Sequence, residues 1–227
     1  IDVGTALTTG DDNMLIGRQA GNTMTGTSKT ILIGRNAGTA INSTDADGTV
    51  AIGYQAGQKI SVGRYNTAIG YDAMNYNSGS DGNTMIGYNA GKLMNGTDGY
   101  TGNTALGYYA GYNTTTGIHN ISIGAEAYGG GTSSYNICMG YRTMFTEKNT
   151  SNNIVIGHAA MYQTGAGGAG YNIAIGANAL YGGDGASGYN MAIGYRALYS
   201  TTTATNNVAL GHNAGYKTKT GGSSVFV

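Results

Sequence analysis

The chain has 227 residues, with 11 basic and 11 acidic residues, 42 glycines, 19 tyrosines, one cysteine and no proline. Because its charges balance and are scattered singly, the sequence lacks the basic stripe of a nucleic-acid-binding protein, and the lone Cys138 permits no internal disulfide. No apolar run approaches the roughly 20 residues that span a bilayer, so we expect neither nucleic-acid binding nor membrane insertion.

The chain divides into a short start, a long repetitive part and a short end. Residues 1–12 are interpreted as an N-terminal cap or a junction with a preceding fibre segment. Residues 13–216 carry twelve copies of one phrase, written NTAIGYDAM at 66–74 and NTMIGYNAG at 83–91. Residues 217–227 are interpreted as a C-terminal junction. A phrase repeated at a fixed period marks a structural unit that stacks on copies of itself.

Each copy of the phrase centres on a glycine, and successive central glycines lie 16 to 20 residues apart. Counting that glycine as position 0, Asn occupies position −4 in ten copies and Ala occupies position +3 in eleven. The apolar stretch is only three or four residues long and lies between Asn and Gly, which predicts a short strand and a turn. We therefore predict an all-β fold, a parallel β-solenoid or β-roll of about twelve coils of 16–20 residues.

The two faces of each predicted strand are both apolar. Side chains alternate along a strand, so positions −3 and −1 share a face, which we expect to be the interior, with the Ala at +3 packed against it. Position −2 lies on the other face, and a strand that is apolar on both faces is normally buried on both. We therefore expect position −2 to form the interface between copies of the chain. These predicted interface residues are Leu15, Leu32, Ala51, Ala68, Met85, Ala105, Val155, Ala174, Ala192 and Ala209.

The asparagines at position −4 allow two interpretations. Their side chains could form an amide ladder along the solenoid, each bonding to its neighbour in the next coil. Alternatively, each could cap its own turn, because Asn readily bonds nearby backbone groups.

The phrase N-[TIV]-x-[IL]-G-x-x-A resembles a repeat of bacteriophage tail fibres, in which NTAIGY-type units recur at about this spacing. It is also similar to the head repeats of trimeric autotransporter adhesins, from which the chain departs by longer loops rich in Gly and Tyr. The resemblance covers about residues 13–216 and implies a left-handed parallel β-roll, a homotrimer, and a role in attachment to a cell surface. The absence of a visible membrane anchor or stalk favours the tail-fibre resemblance.

Tyrosines form the candidate contact surface. A row of aromatic rings on a rod could stack against the sugar rings of a surface polysaccharide, whereas the favoured alternative is a self-stacking ladder that stiffens the rod. The candidate receptor or glycan contacts are Tyr54, Tyr71, Tyr88, Tyr108, Tyr141 and Tyr195 at position +1, with Tyr100 and Tyr181 in the loops.

Neither a metal site nor a catalytic site is expected. His119, His158 and His212 lie far apart, without a ligand pair at metal-binding spacing. The acidic residues lie mostly in loops and form no repeated pair of carboxylates such as glycoside hydrolysis requires. We therefore expect no enzymatic activity and no cofactor.

The sequence predicts a structural or adhesive segment of a trimeric extracellular fibre, a phage tail fibre or another surface appendage. Its expected partners are copies of itself, with a cell-surface polysaccharide or another receptor as a further candidate. One alternative is a solenoid that binds a regular surface such as ice, for which only Thr67, Thr84 and Thr104 form a short threonine run. A purely structural filament without a ligand is another alternative.

Overall fold

The chain is described by a computed structural model covering residues 2–42, 46–96, 99–146, 149–163, 170–182 and 188–227. Over these residues the protein is all-β, without a helix, and forms a parallel β-solenoid of about 11 turns. The predicted all-β parallel solenoid is therefore confirmed. Its residues group into two compact units, Ile1–Ile118 (unit 1) and His119–Val227 (unit 2).

Unit 1 contains a parallel sheet of three-residue strands and one short separate pair. The sheet consists of β1 (Met14–Ile16), β2 (Ile31–Ile33), β3 (Val50–Ile52), β4 (Thr67–Ile69), β6 (Thr84–Ile86) and β8 (Thr104–Leu106). The separate pair is β5 (Ser80–Asp81) with β7 (Gly99–Tyr100). Before β1, the amide of Gly4 donates to the Ala20 carbonyl at 3.0 Å, so the first residues already stack on the first coil.

Unit 2 repeats the same arrangement. Its strands are β9 (Ile121–Ile123), β10 (Ile137–Met139), β11 (Ile154–Ile156), β12 (Ile173–Ile175), β13 (Met191–Ile193), β14 (Val208–Leu210) and β15 (Val225–Phe226). Along the main sheet of each unit, each strand residue pairs with its equivalent in the next coil, as Ala174 pairs with Ala192. The pairing of Val208 with Val225 extends the ladder beyond residue 216, where the sequence suggested that the repeats end.

The predicted inner and outer faces of the strands are reversed. Ala68 at position −2 has no exposed surface in the single chain, whereas Ile16 and Leu210 at position −1 are 55% and 52% exposed. Position −2 therefore points into the coil and cannot contact another copy. The predicted interface residues that are instead core residues are Leu32, Ala51, Ala68, Met85, Ala105, Val155, Ala174, Ala192 and Ala209, with the partly buried Leu15 packed against them.

Small residues line the interior because each coil is narrow. The alanines at position +3, such as Ala37 and Ala197, are fully buried, as predicted for that column, but they pack with position −2 rather than with −3 and −1. In most coils one larger side chain also enters the core, either from position +4 or from position +7. In the coil of Gly34, Ile41 at +7 fills the space, whereas in the coil of Gly194, Leu198 at +4 does so.

The corners of the coil use left-handed backbone at fixed positions. Among the described residues, 28 non-glycine residues have φ between 46° and 64°, and they lie at positions −5, +2 and +4. This region is disfavoured for residues with a Cβ, so the stacked coils must hold it in place. Gly53 at position 0 has φ 136°, and a Cβ there would lie 2.7 Å from the carbonyl carbon of Gly70. The central glycine is therefore required by backbone conformation and by close stacking.

Candidate binding surfaces

An uncharged aliphatic face runs along the sheet of each unit. We call the side chains at positions −3 and −1 the aliphatic face; they alternate with the buried position −2 and point away from the core. In unit 1 these residues are Met14, Ile16, Ile31, Ile33, Val50, Ile52, Thr67, Ile69, Thr84, Ile86, Thr104 and Leu106. In unit 2 they are Ile121, Ile123, Ile137, Met139, Ile154, Ile156, Ile173, Ile175, Met191, Ile193, Val208, Leu210 and Val225.

The three threonines considered for ice binding belong to this face. Thr67, Thr84 and Thr104 are partly exposed at position −3, although the sequence analysis placed them inside. They follow Val50 in the same column, so the threonine run in unit 1 covers three coils and is bordered by an aliphatic residue.

The asparagines at position −4 form the predicted amide ladder. In unit 2 the Oδ1 atom of Asn153 accepts hydrogen bonds from the backbone amide of Asn172 at 3.0 Å and from its Nδ2 at 3.2 Å. The same two donations link Asn153 to Asn136 and Asn83 to Asn66. Because these side chains are buried, the ladder satisfies polar groups that would otherwise be costly inside the coil. The ladder interpretation is confirmed.

The tyrosines at position +1 stack on one another in unit 1. Ring centroids of Tyr54 and Tyr71 are 4.9 Å apart, those of Tyr71 and Tyr88 are 5.2 Å apart, and those of Tyr88 and Tyr108 are 5.4 Å apart. Their interplanar angles are 13° to 19°, so neighbouring rings cover each other's faces. Desolvation, with the nearby Asp72 carboxylate, raises the pKa of Tyr71. The favoured prediction of a self-stacking ladder is confirmed here.

Unit 2 has a second ladder, which the sequence analysis missed. Rings at position +5 stack in the order Phe145, Tyr162, Tyr181, Tyr199 and Tyr216, with centroid distances of 5.0 to 5.6 Å. Tyr181 was proposed as a loop residue open to a receptor, but its two ring faces are covered by ladder neighbours. Burial and these neighbours raise the pKa of Tyr181. Aligning position +5 across the copies would have revealed this column.

The other candidate tyrosines have different surroundings. Both Tyr141 and Tyr195 contact a histidine of the next coil. The Tyr195 ring stacks on His212 with ring centroids 5.1 Å apart, and the Tyr141 ring is tilted against His158 with centroids 5.4 Å apart. Tyr100 is 68% exposed, and its ring lies over Gly82, where a side chain would collide with it. Tyr100 therefore presents more ring surface than any tyrosine of the position +1 ladder.

Two acidic side chains at position +2 form ion pairs with basic side chains of a neighbouring coil. In unit 2 Arg142 Nε donates to Glu126 Oε2 at 2.6 Å, and this bond raises the pKa of Arg142. In unit 1 Lys92 Nζ lies 2.7 Å from Asp72 Oδ2, and the bond to Asp72 raises the pKa of Lys92. Both acids lie at position +2, beside the position +1 column. A cation–anion pair is thus a structural element of this corner of the coil.

The described residues contain no group of three or more His, Cys, Asp or Glu side chains arranged to hold a metal ion. They also contain no helix of the length and hydropathy needed to cross a membrane.

Comparison with known proteins found no match to a family model, to a curated protein or to a solved structure.

Proposed function

We propose that the chain is a structural and adhesive segment of an extracellular fibre, in which three copies associate side by side through the aliphatic face. The observation that carries this proposal is the face itself, with its Ile, Val, Leu, Met and Thr side chains and no charged residue. Its exposed members include Ile16, Leu106 and Leu210. Contiguous exposed apolar surface of this kind marks interaction sites on soluble proteins.

A second copy of the chain is the partner that this face fits best. The side chains form ridges that repeat at the strand spacing of about 4.8 Å, and a copy carries ridges of the same pitch. Ridges of equal pitch interlock over the whole length of the contact, which gives each buried side chain a close-packed environment. Burial stabilises association by roughly 25 cal/mol per Å² of apolar surface removed from water.

The trimer, the left-handed coil and the setting in a tail fibre or surface appendage come from the resemblance of the repeated phrase. Tail fibres and adhesin heads both consist of stacked short repeats, and the solenoid fold is compatible with this structural role. The rows of tyrosine side chains along the coils add candidate contacts for a surface polysaccharide or another receptor.

The proposal is tested by the mass of the chain in solution. Analytical ultracentrifugation of the unmodified chain should give three times the chain mass of 23.1 kDa. The double variant Ile69→Lys with Ile86→Lys places two charges on the aliphatic face and should dissociate the assembly. Its matched control, Tyr65→Lys with Asn113→Lys, adds the same charge at exposed positions off the face and should keep the assembled mass. A folded single chain at all concentrations would contradict the proposal.

Ice binding remains a second candidate because Thr67, Thr84 and Thr104 point outward. Their column is only three coils long in unit 1, and the rest of the face is mainly aliphatic, which favours self-association. A thermal hysteresis assay separates the two functions. Hysteresis that is lost in a Thr84→Lys variant would favour ice binding, whereas no hysteresis would leave self-association as the function of this face.

A further inference from the structure

Two arginines of unit 2 occupy equivalent places in the repeat. Arg142 and Arg196 both lie at position +2, each with a guanidinium group between a ring at position +1 and a ring at position +5. The Arg142 carbon Cζ is 5.0 Å from the Tyr141 ring centroid and 5.2 Å from that of Phe145. The corresponding distances for Arg196 are 5.0 Å to Tyr195 and 5.4 Å to Tyr199.

The two arginines differ in the residue at position +2 of the preceding coil. Glu126, at position +2 one coil before Arg142, accepts a hydrogen bond from Arg142 Nε at 2.6 Å. Asn178 occupies the same place one coil before Arg196. Arg196 Nε is buried and finds no hydrogen-bond acceptor among the residues that the structure describes. A guanidinium nitrogen without an acceptor is costly, because it has lost water without gaining a partner.

The ion pair between Arg142 and Glu126 indicates which chemical group Arg196 can bind. At Arg142 a carboxylate oxygen lies 2.6 Å from Nε, on a guanidinium group that is flanked by two rings. We propose that Arg196 is a binding site for the carboxylate of an acidic saccharide, whose carboxylate takes the place at Arg196 that Glu126 takes at Arg142. Because Arg196 Nε is buried, a local side-chain movement must open a path for this carboxylate.

The surroundings of Arg196 favour a saccharide over other carboxylates. The Arg196 guanidinium lies near Tyr199, which stacks between Tyr181 and Tyr216, and near Tyr195, which stacks on His212. Because stacking covers the ring faces, the rows present ring edges, phenol hydroxyls and an imidazole. These groups donate and accept hydrogen bonds, as the many hydroxyl groups of a sugar require. Rows that follow the coil repeat also suit a ligand that is itself a chain of repeated units.

Binding is measured by isothermal titration calorimetry at fixed, low ionic strength, with an oligomer of a hexuronic acid as the probe. The comparison probes are the same oligomer with its carboxyl groups reduced to alcohols, and an oligoglutamate peptide of equal charge. The unmodified chain should bind the uronic acid oligomer, and Arg196→Gln should weaken this binding roughly tenfold or more. The reduced oligomer and the peptide should both bind at least tenfold more weakly than the uronic acid oligomer.

Two substitutions add or remove an internal carboxylate and leave the arginines unchanged. Asn178→Glu supplies an internal carboxylate to Arg196 and should abolish binding at this site while raising the melting temperature of the chain. Glu126→Gln removes the internal partner of Arg142 and should therefore add a second site. This second site should be weaker, because one of the rings that flank Arg142 is Phe145, which lacks a hydroxyl group. Arg142→Gln is the matched control and should bind the uronic acid oligomer as the unmodified chain does.

Several results would overturn the proposal. These are an absence of binding by the unmodified chain, equal binding by Arg196→Gln, equal binding by Asn178→Glu, or equal affinity for the reduced oligomer. Equal affinity for oligoglutamate would show an acid-binding site that does not select saccharides and would also overturn it. The site lies within one chain, so these outcomes are independent of whether copies associate through the aliphatic face.

Discussion

Each of the two units fills its own narrow interior, and the two units do so from different positions of the repeat. In most coils of unit 1 position +4 is glycine and the large side chain comes from +7, as with Met24, Ile41, Ile60 and Met94. In most coils of unit 2 the large side chain comes from +4, as with Tyr128, Met144, Met161, Leu180 and Leu198. In these coils one large side chain therefore fills the core from either of two positions.

Steric contacts show that the two positions compete for one space. A Cβ added at Gly21 would lie 2.6 Å from Met24 Sδ, and one added at Gly57 would lie 2.9 Å from Ile60 Cδ1. Unit 1 contains its own example of the other arrangement, because Met74 at +4 is followed by Asn77 at +7. The choice is thus made coil by coil, and it differs between the units only in frequency.

The largest effect is expected from a charge at position −2, which is core in both units. Ala105→Asp in unit 1 and Ala174→Asp in unit 2 bury an unpaired carboxylate, and each should lower the free energy of unfolding by more than about 4 kcal/mol. Leu106→Asp, one residue along and exposed, should change the stability of the dissociated chain by less than about 1 kcal/mol. Urea unfolding followed by circular dichroism measures all three. Greater damage from Leu106→Asp than from Ala105→Asp would contradict the orientation of the strands.

The difference between the units is tested most directly by giving one coil of unit 1 the core arrangement that is common in unit 2. Gly57→Met should destabilise the chain by about 3 kcal/mol, because it overfills the space taken by Ile60 and adds a Cβ to left-handed backbone. The double variant with Ile60→Asn reproduces the pairing of Met74 and Asn77 and should recover at least half of that loss. A double-mutant cycle measured by urea unfolding gives the coupling. Additive losses would show that the two positions do not share a space.

The asparagine ladder is common to both units, with threonine substitutions only in unit 1. Asn153→Ala removes the acceptor for the Asn172 amide and should cost about 2–3 kcal/mol, because a buried donor is left unpaired. Asn153→Thr should cost less, since Thr30 donates its hydroxyl to Asn13 within the same column at 2.8 Å. Thermal unfolding of the two variants ranks them, and an equal loss would show that threonine cannot replace the ladder contact.

The smallest effect concerns the aromatic ladders, which lie at position +1 in unit 1 and at +5 in unit 2. Because burial and its ring neighbours raise the pKa of Tyr181, it should ionise above the usual tyrosine value of about 10 in the folded chain. Its contribution to stability is complete below pH about 10 and is lost as the pH rises through the folded pKa. Tyrosinate absorbance, compared between the unmodified chain and Tyr181→Phe, isolates this titration. Ionisation of Tyr181 at or below the unfolded value would contradict the buried ladder.

Part of this fold can be predicted from the sequence. The spacing of the central glycines predicts the coils, the short apolar stretches predict the strands, and Asn at −4 allows the ladder as one of two interpretations. The strand faces were predicted wrongly because the larger residues lie at −3 and −1, and large aliphatic residues are usually interior. A coil this narrow reverses that preference, so Ala68 lies inside while Ile69 faces out.

The sequence nevertheless contains a signal that identifies the buried face of each strand. The largest residues at position −2, Leu15, Leu32 and Met85, are each followed by glycine at +4, whereas every large residue at +4 follows a smaller one at −2, as Leu198 follows Ala192. A Cβ at Gly38 would lie 2.9 Å from Leu32 Cδ1, so the two positions share the core. The candidate binding site at Arg196 was not predictable in this way. Its recognition depends on a comparison with the Arg142 environment, and that comparison needs the ring distances and the unpaired nitrogen.

The most direct test of the account measures the chemical accessibility of two adjacent positions. In a Cys138→Ala background, Ala68→Cys and Ile69→Cys each place one thiol on opposite faces of β4, and maleimide labelling is followed over a range of protein concentrations. We expect the thiol at position 69 to be protected in the assembled protein and to react on dilution, and the thiol at 68 to react only on unfolding. A thiol at 69 that reacts equally at every concentration, or one at 68 that reacts on dilution, would contradict association through the aliphatic face.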